Sequence, residues 1–389
     1  MDTTEEKVGL CALNRIFGFE PKIAHALIGH FGSASEIFRT AGKDLDYILG
    51  PFSRYRGTIC RRALDLAADE IERLRFQGIS FTGCSEPYYP ALLKDCDDAP
   101  VGLYIKSRSS VEDIFRPARK IAVVGTRDIS PYGSEWCSKI VEDMCRSDDK
   151  PLIVSGLALG TDICAHKTAI LAGAPTIGVM ATGPETVYPH RHRGFAEQMA
   201  DTPGCALVTD FPPGTAPLAI HFLRRNRIIA GLSEATILIE SKIKGGGMMT
   251  ARLAFSYGRD VYALPGRADD LRSQGCNLLV REKIAEPVTD IAGLLKGLGI
   301  KASARHTRID EHKILEESYK GRLSQDRITL MAGILADIRK NRGITIEELA
   351  SLKGCNFSQI SSLVRALEAD GFISIDILQR CCIKTWKYG

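Results

Sequence analysis

The chain has no CxxC spacing among its 12 cysteines, only 2 tryptophans, and almost no charge imbalance, with 51 Lys and Arg against 47 Asp and Glu. Each shortage excludes something. Without paired cysteine spacing, a thioredoxin-type or zinc-ribbon motif is absent, and the cysteines read as reduced thiols, with Cys11, Cys60 and Cys205 in apolar segments. Cys164 and His166 lie close together but lack further ligands, so no metal site is expected. A formal net charge of +4 does not mark the whole chain as a polyanion binder, so such a role has to rest on local clusters. No apolar run approaches the roughly 20 residues that span a bilayer. The opening MDTTEEKVGL is acidic and lacks the apolar stretch of a secretory signal, which makes the expected compartment the cytoplasm. Two nucleotide signatures are missing as well. No G-x-G-x-x-G follows the first predicted strand of the α/β region, and no G-x-x-x-x-G-K-[ST] occurs, which disfavours a dinucleotide site and a P-loop.

What is present divides into regions of different texture. Residues 1–80 carry apolar residues at helical spacing, as in Ile23, Ala24, Leu27, Ile28 and Phe31, and again in Ala63, Leu64, Ala67, Ile71 and Leu74. Gly32 reads as a helix stop and Ser33 as the next N-cap. From about residue 119 the period changes. Apolar runs at Ile121–Val124, Leu152–Val154, Thr176–Met180, Ala206–Thr209, Thr236–Glu240 and Val261–Leu264 alternate with helical patterns such as Asp162–Ala172 and Met248–Tyr257. That is the signature of a parallel sheet covered on both faces. The expected domains are a helical unit at 1–80, a Rossmann-like unit at 81–297, a polar linker at 298–325, and a small unit at 326–389. In the last, Thr345 and Glu348 fit a capping box. Gly354 gives a turn, Ser358 opens a second helix that Gly371 ends, and Phe372–Leu378 with Cys382–Trp386 read as a hairpin. Helix, helix and hairpin in that order predict a winged helix.

The chemistry gathers where predicted strands end. Gly125-Thr126-Arg127 follows one strand, and Pro131 opens the next helix; backbone N–H groups, a helix N-terminus and a forked cation suit a phosphate. Ser155-Gly156 to Gly160 follows another strand. His221-Phe222-Leu223-Arg224-Arg225-Asn226-Arg227 packs arginines tightly ahead of the apolar Ile228-Ile229-Ala230-Gly231, so one or two guanidinium groups are expected to point into a cleft. Lys242 and Lys244 alternate along a segment read as extended, next to Gly245 and Gly246. Together, Arg127, Arg225, Arg227, Lys242 and Lys244 beside glycine-rich loops form a track for several phosphates rather than a pocket for one nucleotide. Acid–base machinery is thin. Asp162 and His166 are spaced i, i+4, which reads as a packing contact, and no nucleophile–base pair appears. Phe222 and Phe255 read as core.

The ordered motifs VGTR (Val124–Arg127), Tyr132-Gly133, SGLALGTDICAH (Ser155–His166), TIGVMATG (Thr176–Gly183), Tyr188-Pro189, FPPGTAP (Phe211–Pro217), RRNRIIAGLS (Arg224–Ser233), GGGMMTA (Gly245–Ala251), ALPG (Ala263–Gly266) and SQGCNLL (Ser273–Leu279) resemble the DprA/Smf family of DNA-processing proteins. YYPALL (Tyr88–Leu93) and APVGLYIKS (Ala99–Ser107) resemble its lead-in. The resemblance covers about residues 85–290. It implies an extended Rossmann fold that binds single-stranded DNA, and a homodimer that loads RecA and protects incoming DNA in natural transformation, without enzymatic activity or cofactor. By position it gives Gly125, Thr126 and Arg127 a DNA phosphate, Ser155 and Gly156 the lining of the same pocket, and Arg225, Asn226, Lys242 and Lys244 its extension. The sequence departs from the family at Thr209-Asp210, at Lys283-Ile284, and at Gly18-Phe19-Glu20, where the second glycine of a helix-hairpin-helix phosphate clamp is missing. The residues also leave open a Rossmann-type nucleoside monophosphate phosphoribohydrolase, for which Asp162 and Glu240 would be the carboxylates at the glycosidic bond.

Overall fold

The computed structural model describes residues 3–40, 42–147, 150–301, 315–316, 318–319, 323–341, 343–376 and 379–383. They fall into two compact units, Met1–Ser303 and Ala304–Gly389.

The larger unit is built on a nine-stranded sheet: β1 (Ile79–Gly83), β2 (Gly102–Lys106), β3 (Lys120–Val124), β4 (Leu152–Ser155), β5 (Thr176–Val179), β6 (Ala206–Thr209), β7 (Ala235–Leu238), β8 (Asp260–Ala263) and β9 (Glu286–Pro287). Their spatial order is β1-β2-β6-β5-β4-β3-β7-β8-β9. From β6 to β9 every pairing is parallel, whereas β1 and β2 are antiparallel additions on one edge. The predicted parallel strands all form, within a residue or two of the expected bounds. The edge pair β1 and β2 lies outside the strands expected from the sequence.

The strands are apolar along their length because both faces are covered, and side chains alternate between them. Ala122, Val124, Leu152, Val154 and Leu238 join one core. Ile121, Val123, Ile153 and Ile237 join the other, against Cys137, Ile140, Val141 and Met144 of helix Pro131–Cys145 and Ala165 and Ala169 of helix Thr161–Leu171. Helices Ala219–Leu232 and Gly246–Ser256 cover the first face.

The N-terminal helices do not stand apart as the expected 1–80 body. Leu10, Leu13, Phe17, Leu27 and Leu74 belong to the same core as β2 and β4. A buried polar staple joins them to the sheet. Tyr104 of β2 donates its hydroxyl to Glu70 at 2.6 Å, and the same carboxylate takes the Cys11 thiol at 3.6 Å and the Arg15 guanidinium. Gly32 ends its helix in the left-handed region, φ 85°, and Ser33 caps the next helix through Glu36 N, both as predicted. The linker begins later than read: Leu298 and Ile300 are buried in the second core, and most of residues 302–322 lies outside those described.

In the second unit, helices Gln325–Lys340, Ile346–Lys353 and Phe357–Ala369 precede a hairpin of Ile373–Ile375 with Cys381–Ile383. Both halves of the Thr345–Glu348 capping box are made. Asn356, not Ser358, caps the last helix. The outer ends of the hairpin as read, including residues 384–386, fall outside the described residues.

Removing the donor from the staple leaves a buried carboxylate under-satisfied. Tyr104→Phe is therefore expected to lower unfolding free energy by about 1–3 kcal/mol, read by urea denaturation. Unchanged stability would show that the helices are not held through this contact.

Candidate nucleic-acid interface

In an open parallel sheet a crevice forms where the strand order reverses, outside the carboxyl ends of the strands. Here β3 is flanked by β4 on one side and β7 on the other, and the chain runs outward in opposite directions from that point. The loops after β3, β4 and β7 therefore converge, and they carry Gly125 to Arg127, Ser155 to Gly160, and Ser241 to Gly246.

The loops lock onto one another. Thr161 donates its backbone N–H to the Thr126 carbonyl at 3.1 Å. Gly160 adopts φ 73°, and a Cβ there would lie 2.3 Å from the same carbonyl, so the close approach requires glycine. Ser155 is buried and donates its hydroxyl to Val123 O at 2.6 Å, tying β4 to β3. Glu240 is buried and accepts from Ser130 N at 2.9 Å and from Ser130 Oγ, clamping the β7 loop to the start of helix Pro131–Cys145. Helices Thr161–Leu171 and Gly246–Ser256 begin at Gly160 and Gly245 without a side-chain cap hydrogen bond. The N–H that opens the first of them is taken by the Thr126 carbonyl, and the second starts directly from the loop that follows β7.

The arginines divide by role. Arg127 is exposed, with its guanidinium 5.2 Å above the Phe222 ring, which in turn meets Tyr188 edge-on at 5.4 Å. Lys242 and Lys244 are exposed too. They sit in a turn closed by Gly245 N to Lys242 O at 2.9 Å rather than in the extended segment expected. Gly246 is exposed with open space where a side chain would be.

Arg225, Asn226 and Arg227 are different: they are 3%, 7% and 5% exposed. Arg225 donates to the Gly156 carbonyl at 2.7 Å and to the Val179 carbonyl. A side chain on Gly156 would collide with that guanidinium, at 2.5 Å. Burial lowers the Arg225 pKa to about 10, opposed by nearby Asp162. Arg227 makes a buried ion pair with Asp210 and also donates to Asp98 O. Asn226 Nδ2 lies 3.5 Å from Gly246 O. The expectation that Arg225 and Arg227 lie open along a phosphate track is corrected: the apolar half of their helix packs on the sheet and carries them inward, where backbone carbonyls and Asp210 take their charge. Arg224 is the guanidinium of this run left partly exposed, stacked 4.3 Å from the Phe19 ring and donating to Phe19 O at 2.7 Å.

Asp162 and His166 do not pair. Asp162 accepts from Ala158 N at 3.3 Å, and burial raises its pKa. His166 Nδ1 meets Thr176 Oγ1 at 2.7 Å, and burial, then Arg225 and His192, lower its pKa to about 3. Phe222 is half-buried and Phe255 exposed, so neither lies in the core. Tyr188, marked in the sequence by its Tyr188-Pro189 motif, stands beside Phe222; the Ser130–Glu240 clamp is absent from the sequence reading, although Ser130 before Pro131 is a recognisable N-cap pair. Cys60, expected in an apolar segment, is exposed. Among the described residues no group of three metal-ligating side chains forms, and no helix is long and apolar enough to cross a membrane.

An open α/β sheet whose glycine loops and exposed cations meet at a strand-order reversal defines a Rossmann-type protein with a cationic edge. The chain belongs to the DNA recombination-mediator protein A family, whose model matches residues 80–299. It is 38% identical over 208 residues to the DNA processing protein DprA of Bacillus subtilis, covering 54% of this chain and 68% of that protein. To protein Smf of Escherichia coli it is 36% identical, covering 54% of this chain and 55% of that one. Its structure is similar to that of Streptococcus pneumoniae DprA, with a TM-score of 0.62 and 29% identity over 76% of this chain and 97% of the other. It is also similar to Helicobacter pylori DNA processing protein A, solved for its single-stranded DNA binding mode, with a TM-score of 0.50 and 26% identity over 57% and 95%. The resemblance carried by the ordered motifs is thus confirmed at the level of the family. The match spans between about half and two thirds of the length of these curated relatives.

Breaking a buried ion pair leaves an uncompensated charge. Asp210→Asn is expected to destabilise the larger unit by about 3–5 kcal/mol, seen as an earlier unfolding transition by circular dichroism. An unshifted transition would mean that Arg227 finds its counter-charge elsewhere.

Proposed function

We propose that this chain binds single-stranded DNA along the switch-point edge and acts, as a homodimer in the cytoplasm, to protect incoming DNA and load RecA onto it in natural transformation, without catalysing a reaction of its own. The observation that carries the DNA-binding reading is the convergence of exposed Arg127, Lys242 and Lys244 beside glycine loops on one sheet edge. Cations spread along a rim, rather than closed around one pocket, suit a chain of phosphates. Half-exposed Tyr188 and Phe222 beside Arg127 offer aromatic faces to unstacked bases. The solved Helicobacter pylori relative supports the choice of single strands. In this reading Gly125, Thr126, Arg127, Lys242, Lys244, Gly245 and Gly246 touch DNA. Ser155, Gly156, Arg225, Asn226 and Arg227 hold the loops in place from beneath.

The nucleoside monophosphate phosphoribohydrolase reading fits less well. Its two carboxylates are engaged inside the fold, Glu240 by Ser130 and Asp162 by Ala158.

Replacing Arg127 with Ala removes a charge-assisted contact, each worth about 1.5–3 kcal/mol. The expected result is single-strand affinity reduced by about tenfold or more, with the unfolding transition unchanged, measured by fluorescence anisotropy. Lys242→Ala with Lys244→Ala is expected to weaken binding uniformly across sequences. Parental affinity in both variants would reject the edge. Release of free base from a panel of nucleoside monophosphates, lost in Asp162→Asn, would instead favour the hydrolase.

A further inference from the structure

The departure from the family at Gly18-Phe19-Glu20 has a structural counterpart. These residues form the turn between helices Thr3–Phe17 and Pro21–Phe31. The turn keeps a backbone donor to itself, because Glu20 N donates to the Phe17 carbonyl at 2.7 Å. What it presents outward is a ring: Phe19 is 55% exposed. That ring is held from behind, 5.6 Å from the His221 ring and 6.3 Å from the Phe211 ring.

Arg224 lies against it, with its guanidinium 4.3 Å from the ring centroid and a hydrogen bond to Phe19 O at 2.7 Å. That bond uses one of five N–H donors and ends on a neutral carbonyl. Burial, then Arg227, lower the Arg224 pKa to about 10, which leaves it charged at neutral pH. Glu20, the neighbouring acid, is taken by Arg54 at 3.0 Å and by the Tyr55 hydroxyl.

The second observation is the other flank of the same helix. Phe222 and Arg224 are two residues apart in helix Ala219–Leu232, about 200° around its axis. Phe222 carries Arg127 above its ring, and Arg224 stacks on Phe19. Two guanidinium–ring stacks therefore flank the opening turns of one helix. The arc between them holds Ala219, Ile220 and Leu223, all exposed. No acidic residue occurs from Phe211 to Ser233. An apolar strip with a cation and an aromatic ring on each side matches the bases and phosphates of one strand, and it continues the sheet edge at Arg127.

We propose that Phe19 and Arg224 form a second station for the single strand, which crosses the opening turns of helix Ala219–Leu232 between the sheet edge and the N-terminal helices. Arg224 takes a phosphate through its remaining donors, and the Phe19 ring stacks on a base. Ile220 and Leu223 lie under the strand between the two stations. The N-terminal helices then belong to the binding surface and lengthen the segment of DNA held. This second station rests on the edge reading above.

The test photo-cross-links the full chain to an oligothymidylate carrying 5-iododeoxyuridine, with peptide mass mapping. Anisotropy titrations across a salt series accompany it for Phe19→Ala, Phe19→Tyr, Arg224→Gln, Ile220→Glu and Arg127→Ala. The expected map has a cross-link at Phe19 besides those at the sheet edge. Phe19→Ala is expected to weaken binding about fivefold or more, and Phe19→Tyr to keep parental affinity. Arg224→Gln is expected to make the plot of log K against log salt shallower by about 0.7, one phosphate. Ile220→Glu, at an exposed position, is expected to weaken binding with the unfolding transition unchanged. Parental affinity and salt slope in Phe19→Ala and Arg224→Gln would overturn the second station, and so would cross-links confined to the sheet edge. Should those two variants unfold early, the cross-link map of the unsubstituted chain and Ile220→Glu decide. Parental affinity in Arg127→Ala would reject the edge reading; weakened binding in Arg127→Ala alone would reject only the second station.

Discussion

The arrangement of the edge depends on a guanidinium that never reaches it. Arg225 lies beneath the ends of β4 and β5 and donates to the carbonyls of Gly156 and Val179. A charge placed there is costly unless its donors are met. The fold meets the cost with backbone carbonyls and the nearby Asp162, whose carboxylate opposes the fall in the Arg225 pKa. Gly156 has no side chain because the guanidinium occupies that space. The β4 loop is thus fixed from below, and its far end, Gly160-Thr161, fixes the β3 loop through Thr126. The exposed Arg127 stands on a loop held at both levels. Pre-organisation of this kind lets a binding rim act without reordering its backbone on contact.

The same logic runs along helix Ala219–Leu232. Two of its dense arginines are internal and one is partly exposed: Arg225 braces loops, Arg227 pairs with Asp210 just after β6, and Arg224 reaches the N-terminal Phe19. Asn14 of helix Thr3–Phe17 donates to the Asp210 carbonyl at 2.8 Å. The N-terminal helices and the switch point are therefore linked by polar contacts as well as by a shared core, and the helical region serves as part of the scaffold behind the edge.

Much of this was legible in the residues. A run of apolar strands alternating with helices has few solutions other than a doubly covered parallel sheet, and the bounds of β3 to β8 came out within a residue or two. The Thr345–Glu348 box and the Gly32 stop were readable because capping is local chemistry. What escaped depends on contacts distant in sequence. β1 and β2 are short strands defined by pairing with each other and with β6. The inward turn of Arg225 and Arg227 depends on which face of the helix meets the sheet, and Asp210 and Gly156 decide it. A cluster of arginines read along the sequence cannot distinguish a bracing cation from a presented one. The sequence around Lys242 and Lys244 looks extended because the Gly245-to-Lys242 turn bond leaves no local mark other than the glycines.

The central claim is that a rim of cations on a rigid sheet edge neutralises several phosphates of a single strand. A salt series of anisotropy titrations, with single-stranded and duplex oligonucleotides of the same sequence, tests it most directly. The account predicts a single-strand preference and a plot of log K against log salt falling by about 0.7 per phosphate neutralised, steep enough for about three phosphates. A flat salt dependence, or duplex bound as tightly as the single strand, would contradict it.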